Sequence, residues 1–457
     1  MSNNRPSLFQ LDRPLTTADW TTYETELLQL QANILKPHGR NAAVHLFLTF
    51  KRDKQNEARQ FLRQTVVTSA AEQAAQKQRR SASHTELLTV LFLSAKGYEY
   101  LGFPTNGFSQ AFREGMQRAT ERLADPPSTQ WESKYQNNLH VMLLLAHDSP
   151  EELISLARTN EDQVSGFAEV STESGSNMKN SQGKAIEHFG YRDGISQPVF
   201  FEADAPRTQE NWKPSSGPNL VLTEVPLGEG QADWGSYYVF RKLEQNVRRF
   251  KEHERDLAAA LNLTGDRREL AGAMVIGRFE DGTPVALSGA GRGANTPAND
   301  FVYGDPKTDP QGYRCPFSAH IRKTNPRGDP NGQTLDEQKS HRIARRGMPY
   351  GDTTPPGSNL DALPETGVGL LFQCYQADLA HQFEFLQRAW ANNVNMARTG
   401  TGIDPVIGQS SNGSIPDLKF PTQWGKPGST PFSFHSVVTL KGGEYFFAPS
   451  ISFLKSL

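Results

Sequence analysis

An apolar strand that runs into a charged helix occurs in both halves of this 457-residue chain, and that recurrence limits the fold more than any other feature. In the first half Val44, Leu46, Leu48 and Phe50 alternate with other residues, so Ala43 to Phe50 reads as a strand, followed by a charged helix over Gln55 to Lys77. Leu87 to Leu93 reads as a buried strand, with Ser94 capping a short helix that Gly102 stops. His140 to Ala146 is another strand, and Ser149-Pro150-Glu151-Glu152 opens a helix with proline in the first turn and acids against the dipole. The second half repeats the pattern with little shared identity. Gly235 to Arg241 leads into a helix over Leu243 to Leu261, and Gly367 to Gln376 runs into a helix over Asp378 to Asn392. A helical patch, Thr22 to Ile34, interrupts an irregular lead-in over residues 1–42. The expectation is two α+β halves, each a sheet with helices on one face. The boundary falls in the proline-rich stretch 202–232, giving residues 1–205 and 206–457. Loops over 280–340 and 396–433 are long enough to expect function of them.

Charge narrows the partners. Forty-eight basic and 50 acidic side chains leave a net charge of −2, which offers no basic field for nucleic acid and no polybasic membrane face. Small molecules are the expected ligands. Residues 1–6 contain no apolar core of a signal peptide and no run is long enough to span a bilayer, so the chain reads as cytoplasmic. Two cysteines, Cys315 and Cys374, make no disulfide framework, and neither stands in the CxxCH spacing of covalently attached haem. HExxH, Walker A and GxSxG patterns are absent, which removes support for zinc protease, nucleotide and serine hydrolase chemistry.

The segment from Gly190 to Pro198, Gly-Tyr-Arg-Asp-Gly-Ile-Ser-Gln-Pro, sets one carboxylate, Asp193, between two glycines, with Pro198 forcing Gln197 toward extended backbone. Taken alone, this is equally a surface turn. It resembles, however, the GxxDG signature of the dye-decolorizing peroxidases, a haem enzyme family. Four further segments resemble that family in the same order: Cys315 to Arg327, Ala344 to Tyr350, Gly369 to Phe372 and Gly442 to Phe447.

The resemblance implies ferredoxin-like halves with facing antiparallel sheets and peripheral helices, an α+β fold of the dimeric α+β barrel type. The half over 1–205 would carry the GxxDG loop, and the half over 206–457 the haem ligand and the distal arginine. It also implies a peroxidase that reduces hydrogen peroxide and oxidises broad organic donors such as dyes and phenols, with one non-covalent haem b per chain. His320 would ligate the iron, leaving the opposite face open. Arg327 would pair with a haem propionate, a contact suited to a planar guanidinium. Asp193 would move the proton that O–O cleavage requires, and an arginine would stabilise the developing charge. Arg345 and its neighbour Arg346 both qualify; the family pattern favours Arg345, three residues before Met348. Leu370 and Phe372, on one side of a strand, would wall the pocket. Glu384 is expected to accept the imidazole N–H of the ligand histidine, and His381 to be packed or exposed. Bulky donors would be oxidised at the surface or at the haem edge, with Trp390, Tyr375, Tyr350 and Tyr445 as candidates to relay the electron. The alternative reading is a haem-binding or haem-handling protein with little turnover.

Overall fold

The computed structural model describes residues 5–80, 85–206, 209–228, 231–293, 295, 297–357, 359–410 and 412–457. Residues 207–208 and 229–230 of the expected boundary stretch lie outside this set.

Four strands build the first half: β1 (Ala42–Phe50), β2 (Leu88–Leu93), β3 (Val141–His147) and β4 (Ala168–Ser176). Four build the second: β5 (Gln231–Gln245), β6 (Met348–Tyr350), β7 (Gly369–Gln376) and β8 (Val438–Ala448). All neighbours are antiparallel, in the order β6-β7-β5-β8-β2-β3-β1-β4. Read within each half, second–third–first–fourth recurs, so the two halves share one ferredoxin-like topology as expected. They join where Phe447 of β8 pairs with Leu93 of β2. At the other end a Cβ on Gly175 of β4 would meet the Met348 Cβ of β6 at 3.0 Å. The sheet therefore curls until its two edges approach one another, which removes exposed edge strands.

The interior of this barrel is filled by alternate side chains from both halves. Phe47, Phe92, Tyr238, Phe240, Tyr375 and Phe446 are almost fully buried, with Phe92 and Tyr238 ring centroids 4.3 Å apart. His45 of β1 reaches across to Gln373 of β7, with 3.1 Å between Nε2 and Oε1. Burial holds that imidazole neutral and pulls its pKa down to about 4.

Several boundaries differ from the sequence expectation, each for a local reason. The helix expected over 55–77 is two, α1 (Gln55–Gln64) and α2 (Ala70–Arg79). Thr65, Val66, Val67 and Thr68 are β-branched and break the first, and Ser69 caps the second by accepting the Glu72 N–H. The patch near Thr22 to Ile34 is helical over Glu24–Gln29, directly after a short helix Thr17–Thr22, and residues 30–34 are outside both. The helix expected over 243–261 is α4 (Val247–Ala260), after α3 (Pro150–Val164), because β5 continues to Gln245. The helix expected over 378–392 begins only at Phe383 and continues as a π-helix over Leu386–Ala391. Gln382 explains the delay: its Oε1 accepts the Ala377 and Asp378 amides and its Nε2 donates to Leu220 and Arg342 carbonyls, which closes a turn instead. Among the described residues no helix is long and apolar enough to cross a membrane.

Candidate active site

Because side chains alternate along a strand, the residues of β5 and β7 that do not fill the barrel face outward. Arg241, Leu243 and Gln245 of β5 and Leu370 and Phe372 of β7 form the floor of a pocket on the outer face of the second half. Leu370 lies opposite Leu243, and Phe372 opposite Arg241. Loops carrying Asp193, Arg278, His320, Arg327 and Arg345 close over this floor. The structure thus brings together six of the seven residues singled out from sequence. The seventh, Glu384, is outside.

His320 lines the pocket from the start of the short helix His320–Thr324. Its Nδ1 is 2.8 Å from Asp404 Oδ2, and Asp404 is fully buried. The other Asp404 oxygen accepts the Val406 and Ile407 amides, so the carboxylate is fixed in place. A carboxylate only accepts, so Nδ1 carries the hydrogen and Nε2 keeps its lone pair. Asp404 therefore corrects the expectation for Glu384. Glu384 is held elsewhere, by Nη2 and Nε of Arg122 at 2.7 and 2.9 Å and by the Tyr445 hydroxyl at 2.9 Å. Asp404 is 84 residues from His320, and only the unusual length of its loop signalled it in the sequence.

Arg345, which lines the same pocket, sits on the two-residue strand Ala344–Arg345, paired with β7. Its Nη1 lies 3.4 Å from Asp193 Oδ1 and its Nη2 donates to the Ile195 carbonyl at 3.1 Å. Asp193 Oδ1 also accepts the Gly194 N–H at 2.6 Å. Arg346, the competing candidate, points away: it donates to the Asn33 and Ile34 carbonyls of the first half and is buried.

The third group is cationic. Arg327 is 3% exposed, yet it binds only Asn299, the Phe301 carbonyl and Ser196 Oγ. Its neighbour Arg278 shares the same Asn299 Oδ1 and otherwise meets carbonyls. Neither has a carboxylate partner among the described residues, and burial lowers their pKa values to about 9 and about 10. Arg241 on the floor differs, because Asp125 takes both its arms at 2.6 and 2.8 Å. Burying an unpaired guanidinium costs several kcal/mol, so Arg327 and Arg278 are set for an anion. Ser196 and Arg327, which touch, both hold left-handed backbone, φ +66° and +44°. Such strain gathers where a site is over-determined.

These features fit a haem. A free imidazole lone pair, a floor carrying the apolar side chains Leu243, Leu370 and Phe372, and buried cations without counter-charge match an iron, a macrocycle and its propionates. Covalent attachment finds no support, since Cys315 and Cys374 are buried free thiols, and burial pushes Cys315 up to about 12.

The four aromatic relay candidates are all buried, at 0–7% exposure, which corrects the expected surface position of Trp390. Trp390 lies edge-on to His341 at 5.3 Å, His341 stacks on Phe385 at 3.8 Å, and His381, 4.3 Å from His341, is exposed.

Comparison with known proteins agrees with this geometry. A family model for the DyP dimeric α+β barrel domain matches residues 29–184, and one for the C-terminal part of DyP-type peroxidases matches 208–399. The chain is 40% identical to the multifunctional dye peroxidase DyP2 of Amycolatopsis sp., over 97% of this chain and 99% of that one. It is 30% identical to a dye-decolorizing peroxidase of Auricularia auricula-judae, over 79% and 73%. The crystal structure of a DyP-type peroxidase from Anabaena sp. superposes with a TM-score of 0.89 at 39% identity, covering 97% of each chain. The chain belongs to the DyP-type peroxidases, and is a haem peroxidase.

Proposed function

We propose that the chain binds one non-covalent haem b through His320, reduces hydrogen peroxide, and oxidises small aromatic donors, dyes and phenols among them. The observation that carries this reading is one pocket lined by a histidine locked on a buried aspartate, an Asp–Arg pair and two unpaired buried arginines. Haem supplies the iron centre at which a peroxide is reduced and organic donors give up electrons.

His320 Nε2 is the protein ligand. Asp404 orients the ring and, by accepting the Nδ1 hydrogen, makes Nε2 a stronger donor. Arg327 and Arg278 take the propionate charge that their burial calls for. Asp193 accepts a proton from one oxygen of hydrogen peroxide and passes it to the other, which leaves as water. Arg345 is a fixed positive charge beside that transfer and offsets the negative charge that develops as the O–O bond breaks. Leu370 and Phe372 keep the space narrow, so that peroxide enters where bulky dyes do not. A cytoplasmic location fits the two free buried thiols.

The alternative, a haem-handling protein with little turnover, has a short match behind it: 39% identity to a deferrochelatase of Yersinia pestis over 79 residues, 17% of this chain. The Asp193–Arg345 pair, which a carrier would not need, favours the peroxidase. The test is an absorption spectrum of the haem-loaded protein, together with peroxide consumption in the presence of a phenol. A Soret band with no peroxide-dependent donor oxidation would support the carrier instead.

A further inference from the structure

We infer that Glu187 is the positioning residue of the distal loop, fixing the direction of Asp193 through one carboxyl group shared between two loop amides and Gln245. The inference rests on the role of Asp193 proposed above. Glu187 precedes Asp193 by six residues and lines the same pocket. Its Oε1 accepts the Tyr191 N–H at 3.0 Å, and its Oε2 accepts the Phe189 N–H at 2.9 Å and Gln245 Nε2 at 2.6 Å. The backbone closes the same loop twice more: Gly190 N–H donates to the Glu187 carbonyl at 2.8 Å, and Glu187 N–H to the Tyr191 carbonyl at 3.0 Å. Residues 187–191 are thus tied on themselves and to the end of β5, two residues before Asp193.

The far side of the loop is also anchored. The Tyr191 hydroxyl donates to Glu254, and Lys251 bridges Glu254 and Glu280 at 2.8 and 2.7 Å. Gly190, φ +96°, fits against this cluster, since a Cβ there would come within 3.2 Å of Glu280 Oε1. Glu187 is thus the side chain that joins the near end of the loop to β5, while Tyr191 anchors its far side.

Gln245 adds an independent observation. It is 4% exposed, and its Oε1 is buried with no hydrogen-bond partner. A proton on Glu187 would give that oxygen a donor: with the amide turned over, the acid O–H donates to Gln245 Oε1 in place of the present Nε2 bond, while both carboxyl oxygens go on accepting the loop amides. Burial and the nearby charge of Asp193 push Glu187 up to about 7, in line with such sharing. The carboxyl group thus holds the loop with or without its proton.

Holoenzymes carrying Glu187→Ala and Glu187→Gln test the role. Alanine removes the acceptor of all three bonds, and the rate at limiting hydrogen peroxide is expected to fall by about 10-fold to 100-fold, the scale of a 1 Å misplacement of a reacting group. Haem content and the rate at limiting donor are expected to stay at wild-type values. Glutamine keeps the size and one acceptor, and is expected to lie between alanine and wild type. Hydrogen exchange read on the same holoenzymes is expected to quicken at residues 189–194 and to be unchanged in β5 and β7. Wild-type peroxide rates in both variants overturn the inference, as does faster exchange spread over the whole chain. If alanine fails to fold, the glutamine variant decides by the same readouts. Asp193→Asn separates the two levels: if it too keeps the wild-type rate, the reading of the distal site has failed. If Asp193→Asn is slow while the Glu187 variants are not, only the positioning role is wrong.

Discussion

The two sides of the pocket are built to different tolerances. On the proximal side His320 meets a fully buried Asp404 at 2.8 Å, and two backbone amides pin the carboxylate behind it. On the distal side Asp193 and Arg345 lie 3.4 Å apart, with side chains about one-third exposed. A buried, fully hydrogen-bonded pair holds one geometry, whereas a partly exposed pair contributes little on its own and can readjust around a small molecule. The contrast follows the work proposed for each side: one holds a cofactor permanently, the other admits, protonates and releases a substrate.

The largest effect expected from that contrast is on the proximal side. His320→Ala should abolish or greatly weaken haem retention, read as loss of the Soret band after haem supplementation and gel filtration. A wild-type spectrum would assign the ligand to another histidine. Next comes Arg345→Leu, expected to lower the rate at limiting peroxide by about 10² to 10³ while haem stays bound. Loss of haem in this variant would break the comparison, because the distal arginine would then be part of the cofactor's hold. Asp404→Asn should act more mildly, since the amide still accepts the Nδ1 hydrogen through its oxygen but carries no charge. The expected result is retained haem, a shifted Soret band and a raised reduction potential, with a spectrum identical to wild type as the contrary outcome. The smallest effect is Trp390→Phe, which should slow turnover of a large dye and leave a small phenol nearly unaffected. Equal loss for both donors would assign Trp390 to packing, as its burial against His341 and Phe385 also allows.

The residues of the pocket also differ in how legible they are. Asp193, His320, Arg327 and Arg345 stand in short contiguous motifs, so the sequence carries them directly. Asp404 does not: it reaches His320 from a separate loop, and an aspartate among glycines and prolines has no local mark of its partner. Glu384 was chosen for the neighbouring helix, but the turn made by Gln382 delays that helix, and Arg122 and Tyr445 take the carboxylate. The strands were readable because apolar side chains alternate along Ala42–Phe50 and Gly369–Gln376, whereas the barrel they close into followed only from the family resemblance. The interrupted helix at Thr65–Thr68 was not, because a short β-branched break competes weakly with the amphipathic pattern on either side. The burial of the relay candidates was illegible for a different reason: nothing in the sequence distinguishes a buried aromatic side chain from an exposed one when both sit beside matched motifs.

The central claim is that peroxide is handled by Asp193 and Arg345 on a cofactor they do not hold. Rates at limiting hydrogen peroxide for Asp193→Asn and Arg345→Leu, each normalised to haem content, measure it most directly. Both variants are expected to retain full haem and to lose about 10²-fold or more in that rate, with Arg345→Leu at least as slow as Asp193→Asn. Wild-type rates in both would contradict the account and make the Gly190 to Pro198 turn a structural one.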